Sequence, residues 1–187
     1  IEFAQIAELP LPPYIQKARE QRHNCKADES WYQTEWASVG GSMAAPTASL
    51  HFTKNDLVAL DNRGVRVIEL TLHVGLGTFL PVYVEDLSQH QMHSEHYEIS
   101  AENWQLVLNA KSSSKKIWAL GTTSTRVLEA VARTGVLFGA TDILLQEGSE
   151  FKIVDRLLTN FHQPESTLLA LVAGFSSLEK VKTCYAW

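Results

Sequence analysis

Apolar and polar positions change their spacing several times along the chain, and each change marks an element. Thr53, an amphipathic stretch from Asn55 to Asn62 and Gly64 supply in turn an N-cap hydroxyl, a helical repeat and a stop, which predicts a helix. Residues 65–74, VRVIELTLHV, are β-branched and almost continuously apolar, as suits a strand covered on both faces. A glycine turn, FLPVYV at 79–84 and a histidine-rich segment come next, followed by a helix from about Ala101 to Lys111 and the strand KIWAL at 116–120. The run GTTSTRVLEAVARTG at 121–135 reads as turn, helix and glycine stop. FKIVDRLLTNF at 151–161 offers a strand and a turn, and ESTLLALVAGF at 165–175 an apolar helix capped by Ser166 or Thr167. Upstream, the spaced prolines of LPLPPYI at 9–15 predict an extended linker, and the polar residues 16–30 lack apolar periodicity, as in a mobile excursion. Strands alternating with helices predict a layered α/β/α domain with a mostly buried sheet. The expected organisation is a remnant of a preceding β domain at 1–8, a proline-rich linker and mobile segment at 9–31, and an α/β catalytic domain at 32–187 truncated at its C-terminus.

Composition narrows the class without changing that picture. In 187 residues, 45% apolar and 20% charged side chains are the balance of a globular protein. The longest apolar run, Leu168 to Phe175, is far shorter than the eighteen or so residues a membrane span needs. Ile1-Glu2-Phe3 has neither an initiator methionine nor the layout of a signal peptide, so a fragment of a longer chain is expected. Cys25 and Cys184 lie far apart with no CxxC spacing, which fits a reducing, cytoplasmic setting and no zinc site. The net charge of −5 argues mildly against nucleic-acid binding, although Lys111, Lys115, Lys116, Arg126 and Arg133 cluster in one third of the chain and could form a basic face.

Four clusters carry candidate chemistry. In TLHVGLGTF, His73 leaves a strand, and Gly75 and Gly77 allow a ligand to approach the backbone; a tight connecting turn explains the same residues. His90, His93 and His96 recur every third residue, which invites a metal. On a strand, however, His93 faces away from the other two and shares its face with Glu95 and Tyr97, a set suited to proton transfer. Thr122, Thr123 and Ser124 stand at a helix start, where they either bind an anion or cap the helix. Asn160 and His162 precede another helix start. No GxSxG, P-loop or HExxH motif is present.

The order of these motifs is more specific than any one of them. LPLPPYI, GSMAAPTASLHFT, TLHVGLGTF, MHSEHYEIS, GTTSTR and LLTNFHQPESTLLALV in succession resemble the S-adenosylmethionine:tRNA ribosyltransferase-isomerase (QueA) family of queuosine biosynthesis. The resemblance implies an α/β fragment lacking the family's N-terminal region and β-barrel domain. It further implies transfer and isomerisation of the ribosyl moiety of S-adenosylmethionine onto 7-aminomethyl-7-deazaguanine at the tRNA wobble position, giving epoxyqueuosine with loss of adenine and methionine. In that chemistry a base removes a proton beside the sulfonium, the substrate amine attacks the ribose, and adenine is protonated as it leaves. S-adenosylmethionine is then a co-substrate, tRNA the partner, no metal is needed, and a cytoplasmic monomer is expected. Carried onto matching positions, the catalytic group is His73, His93 and Glu95. Gly75, Gly77, Thr78, Thr122, Thr123, Ser124, Asn160 and His162 bind substrate.

Overall fold

A computed structural model describes residues 11–19, 25–75, 77, 82–84 and 86–186 of the chain. The expected β remnant at 1–8 and Thr78, expected to bind substrate, lie outside them. Pro12 and Pro13 lead into helix rather than extended linker: α1 spans Pro13–Arg19, because proline at a first helical position forfeits a hydrogen bond the helix does not make. A short helix α2, Asp28–Trp31, follows. Buried Asp28 accepts from the Cys25 N–H at 2.8 Å and from Arg19 Nη1 at 2.5 Å, so the polar stretch is tied down at this point.

A 3₁₀ turn, Thr47–His51, leads to α3, Lys54–Asn62, where Thr53 and Asp56 form a reciprocal capping box and Gly64 adopts φ +79° just past the end. Strand β1 is only Thr71–His73. The preceding Val65 and Val67 are exposed, and the segment they occupy is not strand, so the continuous apolarity of 65–74 overstated its burial. Then come β2, Glu95–Glu98; α4, Ala101–Ser112, capped by Ser100; and β3, Trp118–Leu120. Helix α5, Gly121–Thr134, begins without an intervening loop and stops at Gly135, whose φ is +72°. The remaining elements are β4, Phe138–Thr141; β5, Arg156–Leu158; α6, Thr167–Gly174, capped by Ser166; and α7, Leu178–Tyr185.

The class is mixed α/β, with the strands divided between two sheets. Antiparallel β1-β2-β4 pairs His73 with His96 and Glu95 with Thr141, whereas β3 and β5 run parallel. Along β2 the residues alternate, with Glu95 and Tyr97 buried and His96 and Glu98 exposed, as a sheet with one covered face requires. The covering element is α5, which contacts β1, β3, β4 and β5. Its Val127 and Val131 are fully enclosed beside Leu72, Tyr97 and Val154, and burial of each valine contributes about 1.5–3 kcal/mol. Among the described residues no helix is long and apolar enough to cross a membrane.

Candidate active site

Two neighbouring regions carry the polar groups, and the segment 41–51 runs between them. The first lies where β1 ends. Ser42 Oγ accepts from the Val74 N–H at 3.1 Å, and the Met43 N–H donates to Val74 O at 2.9 Å, so this segment lies along the end of β1. A Cβ on Gly41, whose φ is +115°, would sit 3.2 Å from His73 Nδ1; glycine here allows the backbone to lie against that ring. A Cβ at Gly77 would fall inside the imidazole of His93. The close approach that the glycine turn permits is therefore to His93, and the turn brings His73 and His93 to one end of the sheet.

Glu95 is buried on the covered face of β2 with 2% of its surface exposed. One carboxylate oxygen accepts from the Gly75 N–H at 3.0 Å, and the other is paired with Nη1 of Arg126 on α5. This pair fixes the turn after β1 to the central helix. It also removes Arg126 from the surface, and with Arg133 bound to Glu129 and both Lys111 and Lys116 to Asp155, four of the five members of the expected basic face are ion-paired. His96 points to the opposite face from Glu95, and among the described residues no cluster of three metal-ligating side chains forms.

The second region is the carboxyl edge of the parallel pair, the end of a strand where ligands of α/β sheets gather. Gly121, at φ +87°, turns the chain from β3 directly into α5. No side chain caps this helix: Leu120 holds the N-cap position, the Ser124 hydroxyl donates back to Leu120 O at 2.8 Å, and Thr122 is buried. The predicted cap by hydroxyls is absent, and the positive end of the helix dipole faces this edge without a side-chain acceptor. Beside it opens a cavity of about 270 Å³ lined by Ala48, His51, Phe52, Leu158, Thr159 and Asn160. Across its mouth His51 Nε2 lies 2.8 Å from Asn160 Oδ1. An amide oxygen only accepts, so the contact as it stands takes Nε2 as its donor.

His162, two residues beyond Asn160, turns inward. Its N–H donates to the Tyr185 hydroxyl at 3.0 Å, and its Nε2 lies 3.1 Å from Thr159 Oγ1. Burial holds its pKa below the ordinary 6.5. The unfolded chain consequently takes up the proton first as pH falls. The contribution is fully present above about pH 6.5 and is lost toward the folded value. Thermal melts between about pH 7.5 and 5.5 should show a falling midpoint, and the decline should be shallower in His162→Gln; parallel curves for the two proteins would remove His162 as the cause.

The sequence singles out Asn160 and His162 but misses His51, the partner of Asn160, which stands inside GSMAAPTASLHFT. Its signal is a histidine at the end of a segment rich in small residues, which lets the backbone come close. Arg126 was counted as surface charge, although its position one helical turn after Thr122, on the buried face, placed it inside.

Comparison with known proteins gives a consistent result. Residues 2–187 match the model of a family described as queuosine biosynthesis protein. Over 184 residues the chain is 43% identical to the S-adenosylmethionine:tRNA ribosyltransferase-isomerase of Sulfurihydrogenibium sp. (strain YO3AOP1), which accounts for 98% of this chain and 53% of that protein. Over 185 residues it is 45% identical to the protein of the same name from Staphylococcus aureus (strain Newman), covering 97% and 52%. The chain thus spans about half the length of the curated relatives it matches. Its fold is similar to that of the crystal structure of S-adenosylmethionine tRNA ribosyltransferase from Thermotoga maritima, with a TM-score of 0.61 and 35% identity over 74% of this chain and 44% of that one.

Proposed function

Because the chain belongs to the queuosine biosynthesis protein family, we propose that its full-length protein transfers the ribosyl moiety of S-adenosylmethionine, with isomerisation, to 7-aminomethyl-7-deazaguanine at the tRNA wobble position. The products are epoxyqueuosine-tRNA, adenine and methionine. The protein works as a cytoplasmic monomer without a metal. The observation that carries the reading is the His51–Asn160 pair at the mouth of a cavity beside the uncapped start of α5.

The reaction needs a base that removes a proton from the carbon beside the sulfonium and an acid that protonates the departing adenine. His51 Nδ1 is the base, with its tautomer set by Asn160. His73 and His93, held at the turn after β1, supply the acid, and Glu95 keeps that turn in place through the Gly75 N–H. The first-turn N–H groups of Thr122, Thr123 and Ser124 bind polar groups of the substrate in place of their hydroxyls. Gly75, Gly77 and Thr78 contact the substrate in this reading. Release of adenine from S-adenosylmethionine by the full-length protein tests this directly. Release that requires tRNA bearing 7-aminomethyl-7-deazaguanine is expected; a folded full-length protein that releases none rejects the assignment.

A further inference from the structure

The loop between β5 and α6 carries Asn160, and contacts within the loop and with α7 decide where that residue sits. Tyr185, at the end of α7, accepts a hydrogen bond from the His162 N–H at 3.0 Å. Its ring meets the Phe161 ring edge to face, with centroids 4.9 Å apart. Inside the loop, Thr159 Oγ1 lies 3.1 Å from His162 Nε2. Asn160 therefore stands in a short span whose two ends are tied to each other and whose far end is tied to a helix. Phe161 is 80% exposed, so its ring adds little to the core and serves instead to hold the loop against Tyr185.

The helix does not depend on these contacts for its own place. Ser177 Oγ caps α7 by accepting from the Lys180 N–H, Glu147 accepts from the Leu178 N–H at 2.9 Å, and Val181 is buried. With α7 fastened at its first turn and at Val181, the Tyr185 hydroxyl is left to act on the loop. Asn160 meets His51 at 2.8 Å across the mouth of the cavity. A misplacement of about 1 Å at such a group can cost about a hundredfold in rate. Resting on the ribosyl-transfer reading above, we propose that Tyr185 is a positioning residue for the proton-transfer site. Through the His162 N–H it sets the place of the Asn160 amide, and through that amide the orientation of His51.

Tyr185→Phe in the full-length protein keeps the ring and removes the acceptor. The kcat of tRNA-dependent adenine release should fall about tenfold to a hundredfold, while KM for S-adenosylmethionine stays within about twofold of wild type. A double-mutant cycle with Asn160→Ala then separates positioning from simple support of the fold. In the Asn160→Ala background, Tyr185→Phe should change kcat by less than about twofold, because the group it positions is already gone. Thermal melts establish that each variant is folded; should Tyr185→Phe not fold, the same cycle with Phe161→Ala, at an exposed position, decides. Wild-type kcat in folded Tyr185→Phe, or an equal loss with and without the Asn160 amide, would overturn the positioning role while leaving ribosyl transfer intact. No adenine release from the folded wild-type protein would overturn both.

Discussion

Replacing Glu129 by alanine should lower the stability of the protein by about 3–5 kcal/mol, a large part of the roughly 5–15 kcal/mol that holds a typical domain together. Glu129 lies on α5 with none of its surface exposed. Its carboxylate accepts from the backbone N–H groups of Lys152, Ile153 and Val154, each at 2.9 Å, and is paired with Arg133 one helical turn on. The side chain therefore fastens the approach to β5 onto the central helix. Alanine would leave the N–H donors of Ile153 and Val154 buried without acceptors, at about 1–3 kcal/mol each. Burial by itself raises the carboxyl pKa, but the bonds from Val154, Lys152 and Ile153, with Arg133, outweigh it and leave the pKa below the ordinary 4.5. The stabilisation is accordingly present above about pH 4.5 and lost as pH falls toward the folded value. Urea titrations at neutral pH measure the effect. A loss under about 1 kcal/mol would mean that water takes over the acceptor role and that Glu129 is not the fastening.

Elements closed by local chemistry were legible in the sequence. Thr53, Ser166 and Gly135 end their helices where the spacing predicted, because a cap acts within one turn of its own residue. β4 escaped notice because its FGAT segment offers no β-branched run and gains its place from pairing with β2. The helix at Pro13 was read as linker because proline spacing was weighed against helix interiors and not against a first turn. In the candidate site, the side chains that were singled out lie where strands and helices meet, but their partners come from distant segments. His51 meets Asn160 across 109 positions, and Glu95 meets Arg126 across 31. Pairing over such separations leaves no periodic trace in one chain, so the histidine, glycine and asparagine candidates were visible while the contacts between them were not.

His51→Ala in the full-length protein should cut tRNA-dependent adenine release about a hundredfold to ten-thousandfold, the range for removing a positioned proton-transfer group. His51 is exposed, and its side chain meets Asn160 at the surface, so the substitution empties little packing and the thermal midpoint should change little. Asn160→Asp separates a tautomer-setting role from simple contact. A carboxylate beside Nε2 stabilises the imidazolium and raises the pKa of the ring, so the acidic limb of the rate profile should move to higher pH while activity persists at alkaline pH. Asn160→Ala frees the tautomer and should cost less than loss of the ring itself. A folded His51→Ala protein with wild-type turnover would show that the base lies elsewhere, and the histidines at the turn after β1 would then take the proton beside the sulfonium. A deep loss in His51→Ala with an unmoved pH profile in Asn160→Asp would keep the ring as a substrate contact and remove the proton from it.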